Sequence, residues 1–194
     1  MSKTVAEDYY KDPRLQEAMD LIEKVISEHS KKVDKVKGAN TELKASYEKM
    51  LEEFSKKRGG KLFYDYLGSG VGNGALVELA DGSVKYDFIT GIGVHYFGHS
   101  HPGVVKAQVQ GSLSNTTMSG NLQQNVDSPK LFDLILEQAN KYNGGFDHMF
   151  MTSSGVMAAE NSLKMAFQKR APAHRIVAFE KCFMGRTLAV SQIT

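Results

Sequence analysis

The residues best suited to chemistry lie in Phe150-Met151-Thr152-Ser153-Ser154-Gly155-Val156-Met157-Ala158-Ala159-Glu160-Asn161. A short apolar run breaks at small hydroxyl residues and Gly155, then resumes with helical character. This pattern predicts a strand, a tight turn and a helix N-terminus. A helix start carries unpaired backbone N–H groups and a partial positive charge, so this turn is a generic candidate anion site, able to hold a phosphate. Gly155 lets the backbone come close to such a group.

A second candidate is the histidine set His95, His99 and His101. Their spacing could serve a metal. No carboxylate or cysteine sits beside them in sequence, which favours a structured loop whose Pro102 opens the next helix. The glycines Gly68, Gly70, Gly72 and Gly74 alternate, follow no predicted strand and lack the GxGxxG spacing. They fail as a dinucleotide fingerprint and read as a mobile or closely packed loop.

These residues need elements to position them. Asp12-Pro13 predicts the start of a helix with Leu15, Ala18, Met19, Ile22, Val25 and Ile26 as its apolar stripe. A second helix is predicted from Thr41 to about Lys57, stopped by Gly59-Gly60. Asp81-Gly82 between two apolar runs predicts a hairpin with a type I′ turn. A helix over about Gly103–Leu113 follows, then a polar connection from Ser114 to Val126, long enough to suggest a functional loop. Asp127-Ser128-Pro129 opens a further helix that Asn143-Gly144-Gly145 stops. His148–Thr152, Val156–Arg170 and Arg175–Phe179 then read as strand, helix and strand. Such a βαβ unit belongs to a parallel sheet, which two strands leave incomplete.

Composition narrows the function classes. The chain has 194 residues, with 41% hydrophobic and 24% charged, enough for a packed core. A formal charge of +2 and the lack of long basic runs argue against nucleic acid as a partner. The single cysteine, Cys182, cannot form an internal disulfide. The first eight residues have no secretory apolar core, and no apolar stretch approaches the roughly 20 residues of a membrane span. The expectation is a cytoplasmic protein with no membrane or metal partner.

Taken in order, four stretches resemble one family: Asp81-Gly82 through Asp87-Phe88, Gly98-His99-Ser100-His101-Pro102, Ser154-Gly155-Val156-Met157-Ala158-Ala159-Glu160, and Phe183-Met184-Gly185-Arg186-Thr187. Together they resemble the class III aminotransferases, which use pyridoxal 5′-phosphate and include the ornithine, acetylornithine and 4-aminobutyrate enzymes. The resemblance covers about residues 62 to 194. It implies an α/β fold: the N-terminal part of a fold-type I transferase, with its parallel sheet incomplete. Residues 1–60 would be an N-terminal helical segment. Residues 61–102 would be the glycine-rich and hairpin segment of the small domain, and residues 103–194 the first part of the cofactor-binding large domain.

For the site, the resemblance implies that Ser154, Gly155 and Val156 hold the cofactor's phosphate and that Phe183 stacks on its ring. Without the resemblance Phe183 reads as a core residue. Arg186 would meet a substrate carboxylate, as in the ornithine-type branch; in other branches this position is mainly structural. Met157, Ala159 and Met184 depart from the family's frequent Glu, Asn and His. The Schiff-base lysine and the acid facing the pyridine nitrogen would lie beyond residue 194, and neither Lys164 nor Lys181 has a context that marks it as a substitute. No catalytic residue is therefore assigned. The expectation is an aminotransferase portion, inactive alone, acting between an amino donor and a 2-oxo acid as a homodimer or with a complementing C-terminal segment. The alternative is a non-catalytic remnant, or half of a split enzyme, that binds the phosphate or a partner subunit. A plain α/β domain with chance matches is the remaining reading, disfavoured by four motifs in order.

Overall fold

A computed structural model describes residues 4–115 and 124–193. The polar connection expected over 114–126 thus lies largely outside the described residues. The chain divides into two compact units, Met1–Asn115 and Thr116–Thr194.

The first unit opens with α1 (Val5–Tyr10), which the helix periodicity had not predicted, and which Thr4 and Glu7 close with a reciprocal capping box. Then come α2 (Pro13–Ser30) and α3 (Thr41–Arg58). Asp12 caps α2 through the Arg14 amide, and Pro13 takes the first helical position. Asn40 caps α3, and Gly59 ends it at φ +78°, a left-handed conformation that glycine adopts without strain. Strands β1 (Gly68–Asn73), β2 (Leu76–Leu79) and β3 (Val84–Tyr86) form an antiparallel sheet in the order β1-β2-β3. A short kinked turn, α4 (Thr90–Gly93), and α5 (Pro102–Ser112) complete the unit.

The core is small. Met19, Val33, Tyr47, Leu79 and Val84 are its buried apolar side chains, each stabilising the unit by about 1.5–3 kcal/mol for full burial of a residue of Val or Leu size. Helix α2 packs on α5, where Lys106 pairs with Asp20 at 2.8 Å and Glu23 at 3.0 Å. The two N-terminal helices therefore belong to the same unit as the hairpin. Tyr47 on α3 ties them together: its hydroxyl accepts from the Leu67 amide at 2.9 Å and donates to the Asp65 carbonyl at 3.4 Å.

Two features of this unit differ from the sequence expectation. The glycine-rich stretch is a strand, not a loop. Gly72 lies against His99 with no room for a side chain, so glycine there serves close backbone approach. The hairpin turn is also not type I′, which needs positive φ at both central residues. Among Ala80, Asp81 and Gly82, Gly82 alone has positive φ, +75°. The loop is the three-residue form, closed by Gly82 N–H to Leu79 C=O at 2.9 Å, with Asp81 Oδ1 accepting from the Ser83 amide and hydroxyl.

The second unit holds α6 (Asp127–Asn140), α7 (Gly155–Arg170) and a 3-10 turn, Val190–Gln192. Here the expected parallel pair is corrected. Neither 148–152 nor 175–179 is in a strand among the described residues, and the sheet that does form is antiparallel and in the first unit. A strand exists only through its ladder, and parallel strands need neighbours and covered faces. The described residues supply neither: Phe150, Val177 and Phe179 are exposed. Among the described residues, Val190 is the buried apolar side chain of this unit.

Candidate functional site

Helix α7 begins where the sequence places the anion site. Ser154 is extended at φ −166°, ψ 162°, so the chain enters the helix abruptly. Its hydroxyl accepts from the Met157 amide at 3.3 Å, and its carbonyl accepts from the Ala158 amide at 3.1 Å. Thr152 Oγ1 donates to the same carbonyl at 3.0 Å and steadies the turn. The cap thus consumes the Met157 amide. The amides of Gly155 and Val156, as the first helical residues, have no intrahelical carbonyl to meet.

The electrostatics favour an anion here. No acidic residue stands in the first turn of α7, while Lys169 and Arg170 stand in the last. The partial positive charge at the N-terminus is left uncompensated. Ser154 and Gly155 are exposed, Val156 is half-buried, and the space beside Gly155 is open.

The second motif docks on this helix start. Gly185 is buried at φ +135°, and a Cβ built on it would fall 2.7 Å from Val156 Cβ. Two residues on, Thr187 Oγ1 donates to Glu160 Oε1 on α7. The Thr187 carbonyl accepts from the Ser191 amide at 2.9 Å, and Cys182 Sγ donates to the Ile193 carbonyl at 3.2 Å. The segment Phe183–Thr187 is therefore pinned along the first two turns of α7. Phe183 is 72% exposed, and the exposed Arg186 makes no salt bridge among the described residues.

All five sequence-selected residues thus lie on two segments that touch through Val156 and Gly185. An open helix start, an exposed aromatic ring and an unpaired guanidinium suit a phosphorylated aromatic cofactor and a carboxylate. Lys164 and Lys181 are both exposed. A cavity of about 640 Å³ along α7, lined by Glu160, Leu163, Lys164, Phe167, Ile176 and Gln192 among others, includes none of the five. The residues that sequence reasoning gave no role are Gly185, Thr187 and Glu160. Their pairing spans 27 positions, and no periodicity could reveal it.

The histidines of the first unit do structural work. His99 Nε2 and Asp87 Oδ2 are 2.7 Å apart, and His95 stacks on His99 with ring centroids 4.0 Å apart. His101 Nδ1 accepts from the Val104 amide and caps α5. Burial alone would raise the Asp87 carboxyl; hydrogen bonds from His99 and the Ile89 and Thr90 amides outweigh it and hold the group below its ordinary value. Among the described residues, no group of three or more His, Cys, Asp or Glu could hold a metal ion.

Comparison with known proteins agrees with the motif order. The sequence model of the family "Aminotransferase class-III" matches residues 66–194. The acetylornithine aminotransferase of Bacillus anthracis is 36% identical over 123 residues, which is 63% of this chain and 30% of that protein. Acetylornithine aminotransferase 1 of Bradyrhizobium diazoefficiens is 34% identical over 133 residues, 66% of this chain and 31% of its own length. The [LysW]-aminoadipate semialdehyde transaminase of Deinococcus radiodurans is 32% identical over 123 residues, 63% of this chain and 28% of its own. The chain thus spans about a third of the length of the curated relatives it matches. No solved structure matches it significantly. On a family match that covers well over half of its residues, the chain belongs to the class III aminotransferases.

Proposed function

We propose that this chain builds the phosphate end of a pyridoxal 5′-phosphate site for amino transfer between an amino donor and a 2-oxo acid. The observation that carries the reading is the seating of Phe183–Thr187 on the helix start that Ser154 caps. Ser154, Gly155 and Val156 offer N–H groups and a hydroxyl to the phosphate. Phe183 offers a flat apolar face for the ring and excludes water from one side of it. Arg186 offers two parallel N–H donors to a substrate carboxylate. When bound, the cofactor supplies an electron sink for the bonds around the amino-bearing carbon. This chain's residues bind and orient; none of them is assigned a proton transfer.

The same reading gives α6 and α7 their place in the large domain of a fold-type I enzyme, with partners completing it. Exposed Phe150, Val177 and Phe179 support a homodimer or a complementing segment as the cover for those faces. A single free thiol, Cys182, supports a cytoplasmic setting.

Pyridoxamine 5′-phosphate tests the site directly. It keeps the ring and phosphate but has no aldehyde for surface lysines to capture. Titration should give saturable binding and move the amide signals of Gly155 and Val156 in nitrogen-15 spectra. Binding that leaves those two amides unmoved, or no binding at all, overturns the assignment.

A further inference from the structure

We propose that Thr187 and Glu160 are positioning residues that hold the ring face and the guanidinium in register with the phosphate site, an inference that rests on the reading above. The cofactor-binding positions are split between two segments of different character. Ser154–Val156 belong to the helix start, whose amides exist as soon as α7 forms. Phe183 and Arg186 belong to an irregular segment with no ladder of its own, and something must fix it.

The structure shows what fixes it. Gly185 is pressed on Val156, and Thr187 is bonded to Glu160 one turn further along α7. Arg186 lies between these two anchors, so its backbone is held on both sides while its side chain stays exposed. Val190, fully buried beside Gly185, and the Ser191 amide on the Thr187 carbonyl close the segment from the other end. Glu160 and Thr187 are both half-buried, where a hydroxyl-to-carboxylate hydrogen bond is stronger than a neutral one. Removing it leaves the Val156–Gly185 contact as a direct tie from α7 to the motif. Phe183 and Arg186 would then pivot about Gly185.

Two probes separate positioning from simple stapling. Inorganic phosphate reports on the helix start alone; pyridoxamine 5′-phosphate reports on the helix start and the ring face together. For Thr187→Val, which removes the hydroxyl at nearly constant volume, we expect affinity for pyridoxamine 5′-phosphate to fall about tenfold, the scale of one hydrogen bond to a charged group. Inorganic phosphate should bind within about twofold of wild type by the same estimate. Thr187→Ser should restore the pyridoxamine 5′-phosphate affinity. Glu160→Ala should match Thr187→Val, and the double variant should be no weaker than either alone. Equal losses for both probes, no loss for either, or failure of Thr187→Ser to rescue overturns the positioning role while leaving the phosphate site standing. A wild-type chain that binds neither probe overturns both.

Discussion

Gly185 lies against the Val156 side chain with no space for a Cβ between them. A glycine is required twice over, for this approach and for its φ of +135°. The first turn of α7 and the segment that carries Phe183 and Arg186 meet at this contact.

Gly185→Ala should therefore destabilise the second unit by about 2 kcal/mol or more, the upper part of the range for overpacking, with the backbone conformation adding to it. Adding Val156→Ala to the same chain should return part of the loss, because it removes the Val156 Cγ2 clash while the Cβ clash and the φ remain. Urea unfolding followed by circular dichroism checks both variants.

Ser154 has two separable roles. Ser154→Ala should cost about 1 kcal/mol of helix stability through loss of the cap. Ser154→Asp should keep the cap, yet lower phosphate affinity about tenfold or more by placing a negative charge beside the anion. Thermal melts paired with pyridoxamine 5′-phosphate titration distinguish the two. A Ser154→Asp chain that binds as well as wild type would remove Ser154 from the phosphate site.

The Asp87–His99 pair gives the first unit an acid limit. The Asp87 carboxyl is held below 3.8 in the folded state and returns to its ordinary value on unfolding. Its contribution is therefore fully present above that ordinary value and disappears as pH falls through the lower, folded one. Asp87→Asn should flatten this part of the pH–stability curve and cost about 1–3 kcal/mol at neutral pH. Unfolding midpoints measured between roughly pH 2 and pH 7 for both proteins test it.

Tyr47→Phe removes only a hydroxyl, but that oxygen is the acceptor for the Leu67 amide. The amide would be left part-buried without its partner. A loss of about 1–3 kcal/mol is expected, and amide exchange at Leu67 should accelerate. An unchanged exchange rate would mean that water replaces the phenol.

What was legible in the sequence is what short windows encode. Asp12-Pro13, Gly59, Pro102 and the Ser154-Gly155 turn each mark a helix end within one turn of chain, and each end lies where those residues put it. The four family motifs are equally local, so class III membership could be read before any geometry. What was illegible depends on distant partners. β1 is a strand of glycines whose logic is the close approach of His99 to Gly72. Gly82 looked like part of a two-residue turn, but the loop is set by the Asp81 carboxylate and Ser83. The pair Thr187–Glu160 joins two motifs whose individual patterns say nothing of each other. The expected parallel strands failed for the same reason: an apolar run states that a segment wants cover, not that a neighbour is present to pair with it.

The segment between α2 and α3 has a further effect on the small sheet. Lys37 exchanges both backbone hydrogen bonds with Val84, at 3.2 and 3.1 Å, and the Asn40 amide reaches the Asp81 carbonyl. This shields the outer edge of β3. At the other edge, the Ser100 hydroxyl accepts from the Gly72 amide, and His99 bridges to Gly74. Among the described residues, both margins of the sheet are thus partly occupied by the chain's own backbone and side chains. Little of the hairpin is left as a template for a second molecule's strand, so edge-to-edge self-association should not begin there.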